Sequence, residues 1–393
     1  MQAIILAAGK STRTYPLTLT KPKPLIKIAG KTILEHQLDC LEGLIDELII
    51  IVGYKKEMII HFLKDKKYEF KINFVEQKEQ LGTGHAIQQA RNLLKDCFVV
   101  LNGDDLYHRD DIKKCIKHES CVLVKEVNDI TKFGAVITEN GFVKEIVEKP
   151  NNQVSKYANT GLYVLKKKIF EFTPKKTERD EYEITDYVNY LAKNEKVPFE
   201  IVKNYWLPVG YFQHILEANE FLLKNIETEI YGTIEPNATI KGNVVVGEGT
   251  LIRNGSYIEG PVVIGENCDI GPNCYIRPYT SIGDNCRVGN AVEIKNCVIG
   301  DNVKIGHLSY FGDSVLGDNI NVGAGTIAAN LRHDNQNVKT YVKGKLEDTG
   351  RRKFGTVIGD NVKLGIKTLI YPGRKIWPNK TTLPGEIIKK DLI

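Results

Sequence analysis

The feature that most constrains this chain is a run of aliphatic residues that recurs every six positions through its second half. Helices repeat their apolar positions every 3.6 residues and strands every two, so neither sustains a period of six over this length. A parallel β-helix does, because each six-residue unit forms one flat face of a coil and its aliphatic side chain points to the axis. The members of the run are Ile234, Ile240, Val246, Ile252, Ile258, Ile264, Ile270, Ile276, Ile282, Val288 and Ile294.

The repeat shifts by one residue twice and is interrupted once. The shifts fall at Ile299 and at Leu316, and the pattern weakens over residues 330–356, where Asp, Asn, Lys and Arg dominate. The six-residue step resumes at Ile358 and Leu364, so we interpret the weak stretch as an excursion loop. Such shifts mark turns or a change of coil geometry, and we expect functional residues to cluster near them.

The first part of the chain alternates apolar runs with helical patterns. The patterns predict strands at residues 2–6, 48–52, 72–76, 98–101 and 121–124, and helices at 33–41, 56–64, 85–94 and 212–225. Strands and helices that alternate in this way favour a mostly parallel sheet covered on both faces, with a hairpin-like stretch at 133–165. We therefore predict an α/β domain at 1–225 and a β-helix domain at 226–393.

The composition argues against several classes of function. Lys and Arg (54 residues) are interleaved with 49 Asp and Glu, and the net charge is only +5, so we expect no nucleic-acid partner. No apolar run approaches the roughly 18 residues of a membrane span, and we expect neither a signal peptide nor a membrane partner. None of the eight cysteines forms a C-x-x-C pair, which favours buried thiols in a reducing cytoplasm.

A glycine-containing loop with two nearby cations follows the first predicted strand, where an α/β sheet places its ligand-binding loop. Residues 9–13 read GKSTR, and prolines stiffen the segment that joins Arg13 to Lys23. Backbone N–H groups beside a glycine, together with two fixed cations, suit a polyphosphate. The loop matches neither the P-loop nor the G-x-G-x-x-G fingerprint. A solvated basic loop is the alternative interpretation.

These residues resemble the signature of the sugar-1-phosphate nucleotidylyltransferases. The matching segments are 6–13 (LAAGKSTR), 16–18 (PLT) and 21–24 (KPKP). The resemblance implies an α/β nucleotide-diphospho-sugar transferase (Rossmann-like) domain in which Arg13 and Lys23 act in catalysis by holding the phosphates of the nucleoside triphosphate. It also places UTP against the residues of the first loop, Leu6, Ala7, Ala8 and Gly9.

Further segments resemble other parts of this family. Segment 77–86 (QKEQLGTGHA) is similar to the base-recognition segment, which implies that Gln77 and Gly82 contact UTP. Segment 102–105 (NGDD) resembles the metal-binding Gly-Asp, which makes Asp104 the expected Mg²⁺ ligand. The resemblance places the sugar phosphate against Thr83, Gly134, Glu148 and Asn159.

The chemistry that this resemblance implies is an in-line attack by a sugar 1-phosphate oxygen on the α-phosphorus of UTP, which expels pyrophosphate. Positioning, Mg²⁺ and the two cations stabilise the transition-state charge, and no nucleophilic side chain is required. The chain departs from the family at Pro208, in WLPVG, where an Asp commonly completes the metal site. A proline side chain cannot bind metal, so the second metal ligand is open.

The β-helix carries a second resemblance, to the acetyltransferase domain of bifunctional glucosamine-1-phosphate acetyltransferase/uridylyltransferases. Segments 306–313 (GHLSYFGD) and 321–326 (NVGAGT) match it. The resemblance implies a left-handed parallel β-helix of hexapeptide repeats, packed as a homotrimer or a multiple of it. It makes His307 the general base that takes a proton from the sugar amine as the amine attacks acetyl-CoA.

The same resemblance supplies two sets of binding residues. The residues expected to hold the sugar substrate of the acetyltransferase are Arg277, Lys295, Tyr310, Asn321 and Asn330. The residues expected to contact acetyl-CoA are Ala324, Ile366 and Pro384. The family's oxyanion-stabilising Ser falls at Ile366 here, so the oxyanion donor is open, and residues 330–354 look more like the archaeal branch than the bacterial one.

We therefore predict a bifunctional cytoplasmic enzyme of UDP-N-acetylglucosamine synthesis that uses Mg²⁺ and acts on small molecules. One alternative is a glucose-1-phosphate thymidylyl- or uridylyltransferase whose β-helix is only structural, and the spacing from Arg13 to Lys23 is closer to thymidylyltransferases. Another is a non-catalytic regulatory subunit with the same two domains. The presence of Arg13, Lys23, Asp104 and His307 favours an enzyme, whereas Pro208 favours the regulatory subunit.

Overall fold

The computed structural model describes residues 1–177 and 180–393. The chain forms two compact units. The first consists of Met1–Lys10, Pro22–Leu25 and Ile33–Pro208, and the second of Ser11–Lys21, Ile26–Thr32 and Val209–Ile393. Two short segments near the N-terminus therefore fold with the C-terminal part of the chain.

Strands and helices alternate through the first part of the chain. The helices are α1 (Ile33–Leu41), α2 (Lys56–Leu63), α3 (Thr83–Gln89), α4 (Arg109–Cys115), α5 (Ile184–Asn194) and α6 (Phe212–Leu223). The strands are β1 (Gln2–Ala7), β2 (Lys27–Ile28), β3 (Lys31–Thr32), β4 (Glu47–Val52), β5 (Lys71–Glu76), β6 (Cys97–Asn102), β7 (Asp105–Tyr107), β8 (Cys121–Glu126), β9 (Gly134–Glu139), β10 (Phe142–Glu148), β11 (Tyr157–Lys166), β12 (Val197–Ile201) and β13 (Trp206–Pro208).

The first unit is built on a nine-stranded sheet with the order β5-β4-β1-β6-β11-β8-β12-β10-β9. Strands β5, β4, β1 and β6 run parallel, as the alternating pattern predicts. The prediction of a mostly parallel sheet is confirmed, since in the other half β8, β12 and β9 run in the same direction as these four strands, whereas β11 and β10 run in the opposite direction. There β9 and β10 form a hairpin closed by Asn140 and Gly141, whose φ angles of 51° and 83° suit a two-residue turn.

Short strands of the second unit stack into three parallel sheets, which are the faces of a left-handed parallel β-helix. The strands are β14 (Glu229–Ile230), β15 (Thr233–Ile234), β16 (Thr239–Lys241), β17 (Val244–Val246), β18 (Leu251–Ile252), β19 (Tyr257–Glu259), β20 (Val262–Ile264), β21 (Asp269–Ile270), β22 (Tyr275–Ile276), β23 (Thr280–Ile282), β24 (Arg287–Asn290), β25 (Glu293–Lys295), β26 (Val298–Ile299), β27 (Lys304–His307), β28 (Tyr310–Gly312), β29 (Val315–Leu316), β30 (Asn321–Val322), β31 (Ile327–Ala328), β32 (Lys339–Val342), β33 (Lys345–Asp348), β34 (Val357–Ile358), β35 (Lys363–Leu364), β36 (Leu369–Ile370), β37 (Lys375–Ile376) and β38 (Ile387–Ile388). The orders of the three sheets are β14-β17-β20-β23-β26-β29-β34-β37, β15-β18-β21-β24-β27-β30-β35 and β16-β19-β22-β25-β28-β31-β36-β38. Strands β32 and β33 lie outside the three sheets.

The interior of the β-helix is the apolar core that the repeat predicts. Repeat residues from Val246 to Ile294 are buried, and the thiols of Cys268, Cys274 and Cys286 fill space beside them. The eight cysteines are free thiols, which confirms the absence of disulfides expected from their spacing. Within the described parts of the chain, no helix has both the length and the hydropathy needed to cross a membrane.

Both one-residue shifts lie at the same corner of the β-helix. Ile282 pairs with Ile299 and Ile299 with Leu316, so successive coils remain in register although each of these steps is one residue shorter than the earlier ones. The turns at Asn296 and Asp313 are each one residue shorter than the corresponding earlier turns, and these two residues have φ angles of 50° and 49°. The shifts therefore shorten one corner and leave the apolar column continuous.

The excursion loop predicted at 330–356 is confirmed. It leaves after β31 and contains the antiparallel hairpin β32–β33. The coil that follows stacks directly on the one that precedes it, since β29 pairs with β34. The hairpin is thus an insertion between two coils, and the β-helix continues past it without a break.

A column of aspartates joins the β-helix to the N-terminal segments of the second unit. We define the aspartate column as Asp284, Asp301, Asp318 and Asp360, which follow glycines on successive coils. Each accepts a hydrogen bond at Oδ1 from a backbone N–H one coil below, at 2.7–3.0 Å. Lys27 Nζ lies 2.6 Å from Asp284 Oδ2 and 2.7 Å from Asp301 Oδ1, and Lys21 pairs with Asp318.

The repeat makes a quantitative prediction about stability. Ile270→Ala should lower the free energy of unfolding by about 2–5 kcal/mol, because it leaves a cavity in a packed interior. Ile234→Ala is the matched control: Ile234 belongs to the same sheet but lies in the first coil, where it is 37% exposed against 0% for Ile270. Thermal denaturation should show a clearly larger loss for Ile270→Ala, and equal losses would contradict an interior set by the repeat.

Candidate functional site

The loop after β1 lies at the carboxyl edge of the parallel strands of the first unit. The Gly103 N–H donates to the Leu6 carbonyl at 3.0 Å, and the Tyr54 N–H donates to the Ala8 carbonyl at the same distance. A Cβ at Gly103 would lie 2.4 Å from the Leu6 oxygen, so only glycine fits this approach. Ala7 and Ala8 are buried and Gly9 is exposed, which leaves the glycine backbone open to a ligand.

Lys23 and Asp104 meet at this edge of the first unit. Lys23 Nζ lies 2.7 Å from Asp104 Oδ2, and the lysine side chain is only 3% exposed whereas the aspartate side chain is 38% exposed. A lysine this buried requires an opposite charge, and Asp104 supplies one. Asp104 sits in the turn between β6 and β7, so the Gly-Asp motif places its carboxylate at the rim of the sheet.

Asp105 is a buried second carboxyl group that sequence reasoning did not single out. Its Oδ2 accepts hydrogen bonds from Trp206 Nε1 at 3.2 Å and from the Tyr107 hydroxyl at 3.4 Å. Burial, followed by the charge of Asp104, raises the pKa of Asp105 well above its usual range. Pro208, the position where the family pattern has Asp, pairs with Asp105 across β7 and β13. The doubled Asp in NGDD was the signal for this residue.

Gln77, Gly82 and Thr83 form one continuous piece of structure. Gln77 is buried, and its Nε2 donates to the Gly82 carbonyl at 3.0 Å and lies 3.1 Å from His85 Nδ1. Gly82 has a φ of 99°, which favours glycine. The Thr83 hydroxyl accepts a hydrogen bond from the Ile184 N–H, at the start of α5. Thr83 therefore ties α3 to α5 while it lies beside Gly82.

Gly134, Glu148 and Asn159 also come together in the first unit. Gly134 pairs with Glu148 across β9 and β10, and a Cβ at Gly134 would lie 2.9 Å from Glu148 Oε2 and 3.3 Å from the Asn159 Cβ. Asn159 Nδ2 donates to the Tyr163 hydroxyl at 2.6 Å, which fixes the amide. Burial raises the pKa of Tyr163, so its hydroxyl stays protonated. The absence of a side chain at Gly134 gives these two polar groups their space.

Arg13 belongs to the second unit rather than the first. Its guanidinium carbon lies 5.1 Å from the centroid of the Tyr211 ring, a distance at which a cation interacts with an aromatic face. The short 3₁₀ turn Thr12–Thr14 carries it, and the Thr14 and Thr18 hydroxyls both donate to the Ser11 carbonyl. These bonds hold the loop and leave the Arg13 side chain exposed.

Three residues predicted for the acetyltransferase meet around a buried carboxylate, Asp313. Lys295 Nζ lies 3.1 Å from Asp313 Oδ2, and Asn330 Nδ2 donates both to Asp313 and to the Tyr310 hydroxyl, the latter at 3.3 Å. Asn296 Nδ2 donates to Asp313 Oδ1 at 2.8 Å. Sequence reasoning missed Asp313, although it stands at the second shift of the repeat.

Arg277 lies one coil below Lys295, since Ile276 pairs with Ile294. Its Nη1 donates to Glu293 Oε1 at 2.9 Å, and this hydrogen bond, together with the charge of Glu293, raises the pKa of Arg277 against the opposing effect of burial. Its Nε is buried and lacks a hydrogen-bond partner within the described residues. Arg277 thus keeps one donor available for a ligand.

His307 and Asn321 lie on a different face of the β-helix, at the ends of β27 and β30. Both are exposed, and His307 pairs with Asn290 on the coil below. A turn through Leu308 and Ser309 leads from His307 to Tyr310, and the His307 carbonyl accepts a hydrogen bond from the Ser309 hydroxyl at 2.8 Å. This turn is the corner between the face of β27 and the face of β28.

Ala324, Ile366 and Pro384 occupy successive coils at the same corner as His307, whose carbonyl accepts a hydrogen bond from the Gly325 N–H at 3.4 Å. The Lys367 N–H donates to the Ala324 carbonyl, and the Gly385 N–H donates to the Ile366 carbonyl, each at 2.8 Å. Ile366 is 53% exposed, so its side chain faces solvent rather than the core. The three residues therefore form a column on the surface of the β-helix.

The environment of Asp105 gives a stability prediction with a definite sign. Because folding raises its pKa, the unfolded chain ionises Asp105 first, and stability is lost as the pH rises from about 4 towards the folded pKa. Asp105→Asn should therefore raise the thermal midpoint relative to wild type at pH 7.5, and by less at pH 5. The measurement is thermal unfolding in EDTA.

Asp65→Asn provides the control for that experiment, because Asp65 is an exposed carboxylate of the same unit. It should leave the midpoint unchanged at both pH values. A difference in thermal midpoint between Asp105→Asn and wild type that is less favourable to the variant at pH 7.5 than at pH 5 would contradict a carboxyl group held neutral in the fold.

Comparison with protein families agrees with this architecture. Residues 2–225 match the family described as nucleotidyl transferase, and residues 258–391 match the family described as GMPPB C-terminal domain. Among solved structures, the chain resembles a putative glucose-1-phosphate thymidylyltransferase from Bacillus anthracis, with 27% identity, a TM-score of 0.53, and coverage of 58% of this chain and 97% of that one. A UDP-glucose pyrophosphorylase complexed with UDP-glucose gives a TM-score of 0.52 at 25% identity.

Relatives of similar length extend the likeness to the whole chain. The bifunctional protein GlmU of Methanocaldococcus jannaschii is 45% identical over 96% of this chain and 92% of its own length. A bifunctional sugar-1-phosphate nucleotidylyltransferase/acetyltransferase of Sulfurisphaera tokodaii is 37% identical over 100% of this chain and 98% of its own length. The chain belongs to the nucleotidyl transferase family and, within it, to these bifunctional nucleotidylyltransferase/acetyltransferases, and it is a transferase whose substrates are small molecules, nucleotides and sugar phosphates.

Proposed function

We propose that the protein makes UDP-N-acetylglucosamine in two steps. Acetyl-CoA first acetylates the amine of glucosamine 1-phosphate, and UTP then transfers its uridylyl group to N-acetylglucosamine 1-phosphate with release of pyrophosphate. The observation that carries this proposal is the presence of two separate polar sites in one chain, around Lys23–Asp104 and around Lys295–Asp313. We propose that residues 1–225 carry the uridylyl transfer and residues 226–393 the acetylation.

The residues of the first unit suit an Mg²⁺-assisted transfer. Magnesium ions are usually held by one or two carboxylates together with substrate phosphates, and no cluster of three or more potential ligands occurs among the described residues. Asp104 is the protein ligand that we propose, because its carboxylate is part-exposed beside Lys23. When bound, Mg²⁺ neutralises charge on the phosphates. The Gly9 backbone and Lys23 hold the triphosphate in line for attack.

The remaining contacts orient the base and the sugar. The Gln77–Gly82 bond fixes the segment that presents the backbone of Gly82 to the base. Glu148 and Asn159 flank the open space at Gly134, and we propose that they hydrogen-bond the sugar phosphate there. Arg13, as the second phosphate-binding cation, completes the set. Positioning by these groups supplies the rate enhancement, since the substrates themselves provide nucleophile and leaving group.

In the second unit we propose that His307 takes a proton from the amine of glucosamine 1-phosphate as the nitrogen attacks the thioester carbon of acetyl-CoA. Lys295 and Arg277 bind the phosphate of that sugar, and Tyr310, Asn321 and Asn330 orient its ring. Ala324, Ile366 and Pro384 contact acetyl-CoA along the corner column. The part-exposed Tyr310 hydroxyl lies next to Asn330, which supports a joint role for these two.

A homotrimer, or a multiple of it, is the assembly that we propose. Ile327, Leu369 and Ile387 stack on one face of the β-helix and are 38–46% exposed, and such an apolar column favours burial against another copy. The eight free thiols support a cytoplasmic location.

The two activities should separate by mutation. Purified protein with UTP, Mg²⁺ and N-acetylglucosamine 1-phosphate should release pyrophosphate, and with acetyl-CoA and glucosamine 1-phosphate it should release free CoA. His307→Ala should reduce CoA release by roughly 100-fold or more, the usual contribution of a general base, and leave pyrophosphate release intact. Asp104→Asn should do the reverse.

Lys304→Ala, an exposed change on the same strand as His307, should alter neither rate. If no pyrophosphate were released with any sugar 1-phosphate in the presence of either UTP or dTTP, the transferase proposal would be contradicted. Loss of both activities in His307→Ala would contradict two separate sites.

Gly134→Ala tests the sugar site on its own. The added methyl group would displace Glu148 and Asn159, so the KM for N-acetylglucosamine 1-phosphate should rise by roughly 10- to 100-fold. The KM for UTP serves as the internal control and should change little. Steady-state pyrophosphate release measures both constants, and equal increases would place Gly134 outside the sugar site.

A further inference from the structure

A cavity of about 830 Å³ lies within the second unit, and of the residues proposed for the two sites above it includes Arg13 alone. It is enclosed by the loop that carries Arg13, by the tip of the β32–β33 hairpin, and by the last coil with the residues that follow it. Its volume lies in the range of pockets for small ligands, roughly 300–1,000 Å³. The excursion hairpin therefore has an architectural role, because without it this cavity would have no wall on that side.

The cavity has a strong excess of positive charge. Its cations are Arg13, Lys343, Arg374, Lys375, Lys389 and Lys390, and its one acidic side chain is Asp391. Lys375 is buried and lies 3.6 Å from Asp391, so these two offset each other. Arg374 donates to the carbonyls of Pro372 and Lys339 and forms no ion pair within the described parts of the chain.

The other cations of the cavity are also unneutralised. Among the residues that the structure describes, Lys343, Lys389 and Lys390 form no ion pair, and all three are exposed. Arg13 contacts the Tyr211 ring and no carboxylate of the described chain. Several like charges around one concave surface repel one another, and a multivalent anion relieves that repulsion.

Aromatic side chains line the same cavity. Tyr15, Tyr341 and Trp377 contribute to its wall, and Tyr341 is 44% exposed. The Lys375 ammonium lies 5.0 Å from the centroid of the Trp377 ring, which orients the indole. Aromatic faces beside cations are the combination that binds a nucleotide, because the base stacks on the rings while the phosphates meet the charges.

We propose that this cavity is a second nucleotide site, which takes a ligand with a base and at least two phosphates. The cavity shares Arg13 with the site proposed for UTP, whereas Gln77, Gly82 and Asp104 do not line it, so most of that site lies outside the cavity. Arg13 lines it, which links its occupancy to the loop whose cation holds the triphosphate in the proposed transfer. Binding itself can be tested without any assumption about the reaction.

Calorimetric titration of the full chain with UDP, in EDTA, tests the proposal. Wild-type protein should show two binding events per chain. The variant Lys343→Gln/Arg374→Gln should lose one of them and keep the other, whereas Gln77→Ala should lose the complementary one. Lys345→Gln is the matched control, because it removes an exposed lysine from the same hairpin outside the cavity, and it should keep both events.

Folding is checked by thermal unfolding, and Lys389→Gln, at an exposed position, provides a second test that cannot act through the core. It should weaken the same event that the double variant loses. Inorganic pyrophosphate should bind the cavity roughly tenfold more weakly than UDP, because it has no base to stack. A double variant that binds as many UDP molecules as wild type, or equal affinities of the cavity for pyrophosphate and UDP, would overturn the proposal. A single wild-type event that the double variant abolishes would support the cavity and count against UDP binding in the first unit.

Discussion

The in-register stacking of one coil on the next is the constraint on which the second unit depends. Each backbone N–H along a face donates to the carbonyl one coil away, so residues that occupy the same place in successive coils form columns. The aliphatic column inside drives folding through burial. The same register builds polar columns outside, and the proposed pair Arg277 and Lys295 and the aspartate column are both products of it.

The aspartate column shows how this register is used to join segments that are far apart in sequence. Stacked carboxylates repel one another, and the hydrogen bond that each one accepts from a backbone N–H group only partly offsets the cost of that repulsion. Burial disfavours the charge of Lys27, but its ion pairs with Asp301 and Asp284 prevail and its pKa is raised. At the other end, burial raises the pKa of Asp360. Lys27 and Lys21 therefore both stabilise the column and fix the path of residues 11–21 and 26–32.

Much of the fold followed from local pattern, and what did not follow depended on contacts between distant residues. The six-residue period and the alternation of strands with helices are local, and both were confirmed. The hairpin of β9 and β10 lies within the stretch predicted at 133–165, but the reversal of β11 was missed, because apolar alternation does not encode strand direction. Asp105 and Asp313 were missed as well: the doubled Asp of NGDD and the second shift of the repeat marked their positions, but their burial depends on packing that these patterns do not show. The placement of Arg13 in the second unit depends on lysines that reach aspartates some 300 positions away.

Each of the two proposed sites contains a lysine–aspartate pair, but the more exposed partner is the aspartate in one pair and the lysine in the other. In the first unit the lysine of the pair is 3% exposed and Asp104 is 38% exposed, so the carboxylate faces the ligand space. In the second unit Asp313 is 2% exposed and Lys295 is 22% exposed, so the lysine is the more accessible partner. An exposed carboxylate suits a hard cation such as Mg²⁺, and an exposed ammonium suits a phosphate. Because the buried partner balances the charge of the exposed one, each group is held in place before its ligand arrives, and this supports metal binding by the first pair and sugar phosphate binding by the second.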